Sequence, residues 1–173
     1  MAEDMRNDCL KVYLESSFIS YLTGRDIADV KIAESQAYTR LWWRDEREKC
    51  HVFASRFVVD ESNDGNADQI AARRSVLTGI PIASFDEKKV SDLASMLLEG
   101  HAIPEGEVTD AFHIATAAVL GADVLLTWNC RHMANPHTLP RTRKIVTDAG
   151  YVCPAVMTPK TFLENLTLED AYE

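Results

Sequence analysis

Six side chains scattered along the sequence have the right types for one shared piece of chemistry. Glu15, Glu61 and Asp110 carry carboxylates, Asn129 an amide oxygen, and His113 and His132 imidazoles. Hard divalent cations such as Mg²⁺ and Mn²⁺ prefer a shell of oxygen ligands. A cation held in such a shell can stabilise charge on a phosphodiester and acidify water. Each residue also has an ordinary structural reading. Glu15 follows an apolar run and is either a strand end reaching water or a site residue. Asp110 lies in the first turn of a helical pattern, where a carboxylate favours the helix dipole. His113 falls one turn later on the same face. Glu61 competes with Asp60 for a site or a solvated position. Asn129 follows a buried run, where asparagine commonly forms a turn. The residue types alone therefore imply an acidic site only if the fold brings these positions together.

The elements that would do so alternate in type. Leu10 to Leu14 reads as a buried strand, and Ser16 and Ser17 can cap a helix ending near Gly24. Val30, Ala33, Ala37, Leu41 and Trp42 share one side of a helical pattern from Asp29 to Glu48. Val52 to Ala54 reads as a second strand. Phe57 to Glu61 reads as a short helix, and the polar turn Ser62 to Asp68 leads into another at Ala67 to Leu77. Ile80 to Ala83 is expected to be a third strand. Asp86 to Leu98 and the alanine-rich Glu107 to Leu120 are expected helices. Ala122 to Leu126 is a continuous apolar run of the kind buried on both faces of a sheet. Thr158 and Pro159 read as cap and first residue of a last helix, Lys160 to Leu166. This alternation predicts an α/β fold with a parallel sheet covered on both sides. Sites in such folds form beyond the C-terminal ends of the strands.

The chain has 173 residues, which fits one domain. With 46% hydrophobic and 26% charged residues it has enough apolar material for a core, which excludes global disorder. Its opening, MAEDMRNDC, lacks the apolar centre of a signal peptide, and no apolar run approaches the roughly 18–20 residues a membrane span needs. A cytoplasmic protein with no membrane association is the expectation. Cys9, Cys50, Cys130 and Cys153 are far apart and form no close metal-binding pair, so reduced thiols are expected. A formal charge of −9 excludes attraction of polyanions by the overall field. Nucleic-acid binding would need a local basic patch or bound cations. Arg40, Arg44, Arg47 and Lys49 form one basic group, and Arg131, His132, Arg141, Arg143 and Lys144 another. Trp42 and Trp43 offer either a base-stacking surface or, better, a packed helix face.

Three segments resemble the PIN-domain family, and within it the VapC-like bacterial ribonuclease and toxin subgroup. VYLESSFISYLTG, Val12 to Gly24, is similar to the opening of these domains, where a strand ends on an acidic residue before Thr/Ser-Ser. SRFVVDES, Ser55 to Ser62, resembles the motif Ser-x-x-Val-x-x-Glu. TDAFHIATAAVLGADVLLTWNCRHMANP, Thr109 to Pro136, resembles the motifs Asp-Ala-x-His-Ile-Ala and Leu-Thr-Trp-Asn-x-x-His-x-Ala-Asn and is the most specific part. Gly150-Tyr151, Pro154 and Thr158-Pro159 look like the ending of the same group. The likeness covers residues 10–166 as a single PIN domain, between a polar N-terminal tail, 1–9, and an acidic C-terminal tail, 167–173.

The resemblance implies a three-layer α/β/α sandwich with a central parallel sheet of four to five strands. It implies a metal-dependent endoribonuclease, the toxin of a toxin–antitoxin pair, working with Mg²⁺ or Mn²⁺ on RNA, with an antitoxin partner and a homodimeric state. Glu15, Glu61 and Asp110 take the acidic catalytic and metal-ligating positions, Glu15 standing where many members have Asp. Asn129 falls where many have a fourth carboxylate; its amide oxygen can still ligate the metal, but one negative charge is missing. Ser17 and Thr127 match supporting hydroxyl positions. Arg131, Arg141, Arg143 and Lys144 are the preferred phosphate-binding group, and His113 and His132 are general-base candidates by chemistry alone. The alternative within the fold is a weak or inactive RNA- or protein-binding module. A phosphatase-like hydrolase with an aspartate nucleophile is disfavoured: no Asp-x-Asp follows the first strand, and there is no glycine-rich phosphate loop.

Overall fold

The computed structural model describes residues 9–170. The expected tails fall partly outside this range, at residues 1–8 and 171–173. Four strands form one all-parallel sheet: β1 (Lys11–Leu14), β2 (His51–Phe53), β3 (Val124–Leu126) and β4 (Ala155–Met157), in the order β2-β1-β3-β4. In register, Tyr13 of β1 lies between Phe53 of β2 and Leu125 of β3. The helices are α1 (Ser16–Thr23), α2 (Val30–Asp45), α3 (Arg56–Glu61), α4 (Ala67–Leu77), α5 (Glu87–Glu99), α6 (Val108–Val119), α7 (Leu139–Asp148) and α8 (Pro159–Asp170). None of the described helices is long and apolar enough to cross a membrane.

Side chains alternate between the two faces of a strand. Val12, Tyr13 and Leu14 are all fully buried, so helices cover β1 from both sides. On one side Trp42 of α2 meets Phe18 of α1 and Phe162 of α8 edge to face, with ring centroids 5.4 and 5.7 Å apart. On the Tyr13 face lies α6, whose small residues Ala111, Ala115, Ala117 and Ala118 are buried and leave room for close packing with α5. Leu93 and Leu97 of α5 complete this layer, which makes the architecture an α/β fold with a two-sided parallel sheet.

Several boundaries are set by identifiable caps. Asp29 accepts hydrogen bonds from the Lys31 and Ile32 amides and starts α2. Asp86 does the same for α5 through Lys89. Thr158 accepts from the Thr161 amide ahead of Pro159, as the sequence predicts. Ser16 and Ser17 do not cap α1; Glu15 occupies the cap position, and the two hydroxyls turn to carboxylates. The pattern read as one helix to Glu48 ends at Asp45 and tightens into a 3₁₀ turn over Arg47–Lys49. The last helix runs beyond Leu166 to Asp170.

The expected third strand at Ile80 to Ala83 is reduced to one parallel bridge between Ala54 and Ile82. Pro81 has no N–H to give a ladder, and the Ile80 amide is spent on Leu77 at the end of α4. Two elements were not expected. These are α7, with Pro140 in its first turn, and the three-residue strand β4.

The strand order fixes where a site can form. The chain moves from β1 outward to β2, crosses back to β3, and continues to β4 on the other side. The order therefore reverses between β1 and β3. In open α/β sheets such a reversal is where a crevice forms, beyond the strands' C-terminal ends. Glu15 leaves β1 and Thr127 leaves β3 at that place.

Candidate functional site

Glu15 is held by both central strands. Its amide donates to the Leu126 carbonyl at 3.1 Å, which extends the sheet by one rung. Its side chain is 5% exposed, and Oε2 accepts from the Thr127 hydroxyl at 2.7 Å and from the Ser17 hydroxyl. Those hydroxyls are oriented in turn. The Asn129 amide donates to Thr127 Oγ1 at 2.9 Å and the Trp128 amide to Ser17 Oγ at 2.8 Å. Each hydroxyl thus accepts from backbone and donates to the carboxylate. The supporting positions Ser17 and Thr127 meet on Glu15, although 110 residues separate them.

Glu61 is the last residue of the six-residue α3. Its Oε2 accepts from the Ser16 hydroxyl and from His113 Nε2, the latter at 2.8 Å. Asp60 makes no side-chain hydrogen bond among the described residues, so of the two neighbours Glu61 is the one tied into the site. His113 is fully buried, and its Nδ1 lies 2.8 Å from the Tyr13 hydroxyl, which is 2.7 Å from Ser55 Oγ.

Asp110 stands one turn before His113 on α6. Its Oδ2 accepts from Asn129 Nδ2 at 2.8 Å and lies 3.0 Å from His132 Nδ1. Glu107 reaches the same His132 nitrogen at 3.7 Å. The Asn129 amide oxygen, the atom expected to ligate, instead accepts from the His132 backbone N–H at 3.0 Å. In this arrangement Asn129 orients Asp110 and forms the turn after β3.

Potential ligand atoms fall into two groups: Glu15, Glu61 and His113, and Glu107, Asp110 and His132, each within 4.8 Å internally. Hydrogen bonding discriminates among them. Among the described residues no donor meets Oε1 of Glu15, Oε1 of Glu61 or Oδ1 of Asp110, and none of these oxygens is sealed from solvent. Each carboxylate spends one oxygen on the protein and keeps the other open. The structure brings Glu15 and Glu61 together in one group and sets Asp110 in the other, beside Glu107 and His132, so the three expected carboxylates do not meet within 4.8 Å of one another. Open, anionic oxygens of this kind suit a hard divalent cation. His113 Nε2 is spent on Glu61 and does not fit as a ligand.

Burial raises the Glu61 carboxyl, but the hydrogen bond and charge of His113 and the Ser16 hydroxyl outweigh it and hold the group below its ordinary value. For Asp110 burial prevails over the bonds from His132 and Asn129, and the carboxyl is raised. Burial disfavours the His113 cation, yet its bond to Glu61 and the charges of Glu15, Glu61 and Asp110 leave it raised.

The basic residues expected to grip phosphate do not act as one cluster. Lys144 pairs with Asp148 at 2.6 Å, and Arg141 donates to the His101 carbonyl at 3.0 Å. Arg143 lies near enough to Cys153 for its charge to act on the thiol, and Cys153 precedes β4 at the end of the sheet away from the carboxylates. Arg131, beside His132, remains exposed next to the site. In the other basic group Arg40 pairs with Asp26, Arg44 with Asp45 and Lys49 with Glu46, while Arg47 stacks on Trp43. Trp42 is in the core and not available to stack on bases. All four cysteines are free, and burial raises the thiols of Cys50, Cys130 and Cys153. A cavity of about 530 Å³ along β2, lined by Lys11, His51, Phe53 and Pro81, contains none of the site carboxylates.

Sequence reasoning missed Tyr13, Ser55 and Glu107 and treated Ser16 only as a cap. Glu107 is three residues before Asp110 on a helical face, which is a readable signal. Tyr13 offered another: a lone phenol inside an aliphatic strand needs a polar partner. No protein-family model matches the sequence, and no curated protein resembles it closely enough to count as a relative.

Proposed function

We propose that this chain is a metal-dependent endoribonuclease of the PIN type, in the role of a toxin held in check by an antitoxin. The observation that carries the reading is the trio Glu15, Glu61 and Asp110. Each is fixed through one oxygen and open at the other, Glu15 at the end of β1, Glu61 at the end of α3 and Asp110 in the first turn of α6. The three motif segments place the same residues in the family's acidic positions. Glu15, Glu61 and Asp110 are the residues that would hold Mg²⁺ or Mn²⁺. Bound there, the cation supplies neutralisation of phosphodiester charge and a more acidic water.

The protein's own groups do the rest. Ser17 and Thr127 orient Glu15, Ser16 and His113 orient Glu61, and Asn129 with His132 orients Asp110. Arg131 is the cation best placed to meet an RNA phosphate. An antitoxin segment bearing Arg or Lys would satisfy the same open oxygens, and a second copy of the chain is the further partner we propose.

Cleavage of a mixed RNA pool tests the reading, with Mn²⁺, Mg²⁺ or EDTA, using the natural chain and Asp110→Asn. Metal-dependent cutting by the natural chain, lost at least ~100-fold in the variant, is the expected result for removal of a ligand in a metal-assisted reaction. Equal cutting by the two proteins would sink the site. One observation favours a second reading, an RNA- or protein-binding module that does not cut. Asn129 replaces a carboxylate and turns its oxygen to the His132 amide. RNA binding without cutting under any metal condition is the result that reading expects.

A further inference from the structure

We infer that Tyr13 and His113 are positioning residues that aim Glu61 into the site, and that His113 does not serve as the general base. The inference rests on the metal reading of Glu61 given above and names the device that holds it. Glu61 ends a helix of six residues and its side chain is 37% exposed, so α3 alone does not fix it. His113 does. Its ring is fully buried, edge-on to Phe57 at 6.2 Å and tilted against Tyr13 at 5.9 Å between centroids. Tyr13 is itself locked in the middle of the central strand, edge to face with Phe53 at 5.7 Å.

The protons can be counted. An ionised glutamate can only accept, so the hydrogen of the 2.8 Å bond between His113 and Glu61 sits on Nε2. Tyr13 is fully buried, and a phenol keeps its proton at neutral pH. That proton lies toward one of two neighbours, His113 Nδ1 at 2.8 Å or Ser55 Oγ at 2.7 Å. If Tyr13 donates to Nδ1, the ring is neutral and Ser55 donates to Tyr13. If Tyr13 donates to Ser55, the ring is a cation and its Nδ1–H donates to the phenol oxygen. Both arrangements put the hydrogen of Nε2 on Glu61 Oε2. Neither leaves a bare imidazole nitrogen facing the site. With Oε2 filled by His113 and Ser16, Glu61 presents Oε1 outward.

Two measurements on the full chain test this. Nitrogen-15 NMR of the imidazoles reads the His113 proton directly in the unaltered, metal-free protein. A proton on Nε2 is expected; a ring protonated only on Nδ1 overturns the inference without any variant. Mn²⁺ titration by calorimetry then compares the natural chain with Tyr13→Phe and Ser55→Ala. Loss of a hydrogen bond behind a metal ligand typically weakens metal binding by about 10–100-fold. Tyr13→Phe is expected to lose about 10-fold or more, with circular dichroism unchanged, and Ser55→Ala less, because it leaves the Tyr13–His113 bond in place. Should Tyr13→Phe fail to fold, the same drop measured in Ser55→Ala against the natural chain, smaller but resolved, carries the test, and no drop there overturns it. Equal Mn²⁺ affinity in Tyr13→Phe and the natural chain overturns the positioning role alone. Absence of Mn²⁺ binding by the natural chain removes the metal reading of Glu61 and this inference with it.

Discussion

Glu61 and His113 titrate against each other, and the signs of their shifts make a pH prediction. Burial raises Glu61, but His113 and Ser16 prevail, so the folded value lies below the ordinary 4.5. Between those two values the unfolded chain binds more protons, so stability rises with pH there and is lost as pH falls through the folded value. Burial lowers His113, but Glu61 and the charges of Glu15 and Asp110 prevail, so its folded value lies above 6.5. In that window the folded chain binds more protons. Its stabilisation is complete below 6.5 and is lost as pH rises through the folded value. Asp110, raised above 3.8 chiefly by burial, opposes Glu61 on the acid side. The melting temperature of the metal-free protein should therefore fall as pH rises above 6.5. That fall should flatten in His113→Gln, whose amide can still donate to Glu61 but does not titrate. Calorimetric melting across this range decides it, and an equally steep fall in the variant would rule out His113 as the source. At this scale Glu15 and Asp110 were legible because a strand end and a first helical turn are local features. Tyr13 and Ser55 were not, because their bonds to His113 depend on how α6 sits on the sheet, which no local pattern encodes.

At the scale of elements, Trp42 is the buried aromatic through which α2 meets α1 and α8. Trp42 is wholly buried between Phe18 and Phe162, yet among the described residues its indole Nε1 finds no partner. Replacing a buried tryptophan by alanine costs about 3–5 kcal/mol in lost contacts and cavity. Trp42→Phe keeps an aromatic ring against both neighbours and removes an unsatisfied donor, a group whose burial costs about 1–3 kcal/mol. Urea unfolding should place Trp42→Phe much closer to the natural chain than Trp42→Ala. Equal losses in both would mean that the indole has a partner or that ring volume alone holds the helix. The helical period made α2 and α5 readable, the alanine-rich run marked α6, the Thr158-Pro159 cap announced α8, and the apolar runs marked β1 and β3. Short elements were harder. β4 has three residues, with Ala155 exposed, so neither length nor alternation announces it. The arginines and lysine of α7 read as a binding cluster; in the structure Lys144 pairs with Asp148, Arg141 donates to the His101 carbonyl and Arg143 lies near Cys153. Ile80 to Ala83 carried the composition of a strand, but a ladder needs donors on the correct side, and Pro81 interrupts it.

The whole molecule carries a formal charge of −9, and much of its positive charge is neutralised locally. Arg25, Arg56, Lys88 and Lys160 sit in exposed pairs with Asp68, Glu87, Asp92 and Glu34 at 2.6–2.9 Å. Such pairs contribute little stability individually, but they leave few cations to offset the crevice where Glu15, Glu61, Glu107 and Asp110 collect. Two effects of added cations must then be separated. Monovalent salt screens the general repulsion and acts on every exposed charge. A divalent ion held by the open oxygens binds only the folded state and stabilises it by mass action, about 2.7 kcal/mol at 100 times its dissociation constant. At fixed ionic strength Mn²⁺ should therefore raise the melting temperature well beyond NaCl. Asp110→Asn should lose most of that increment, while keeping the same response to NaCl as the natural chain. If Mn²⁺ and NaCl act alike in both proteins, the crevice is only a region of high negative potential. If the divalent increment is present yet RNA is left intact, the oxygens hold a cation and the binding-module reading of the fold gains the weight.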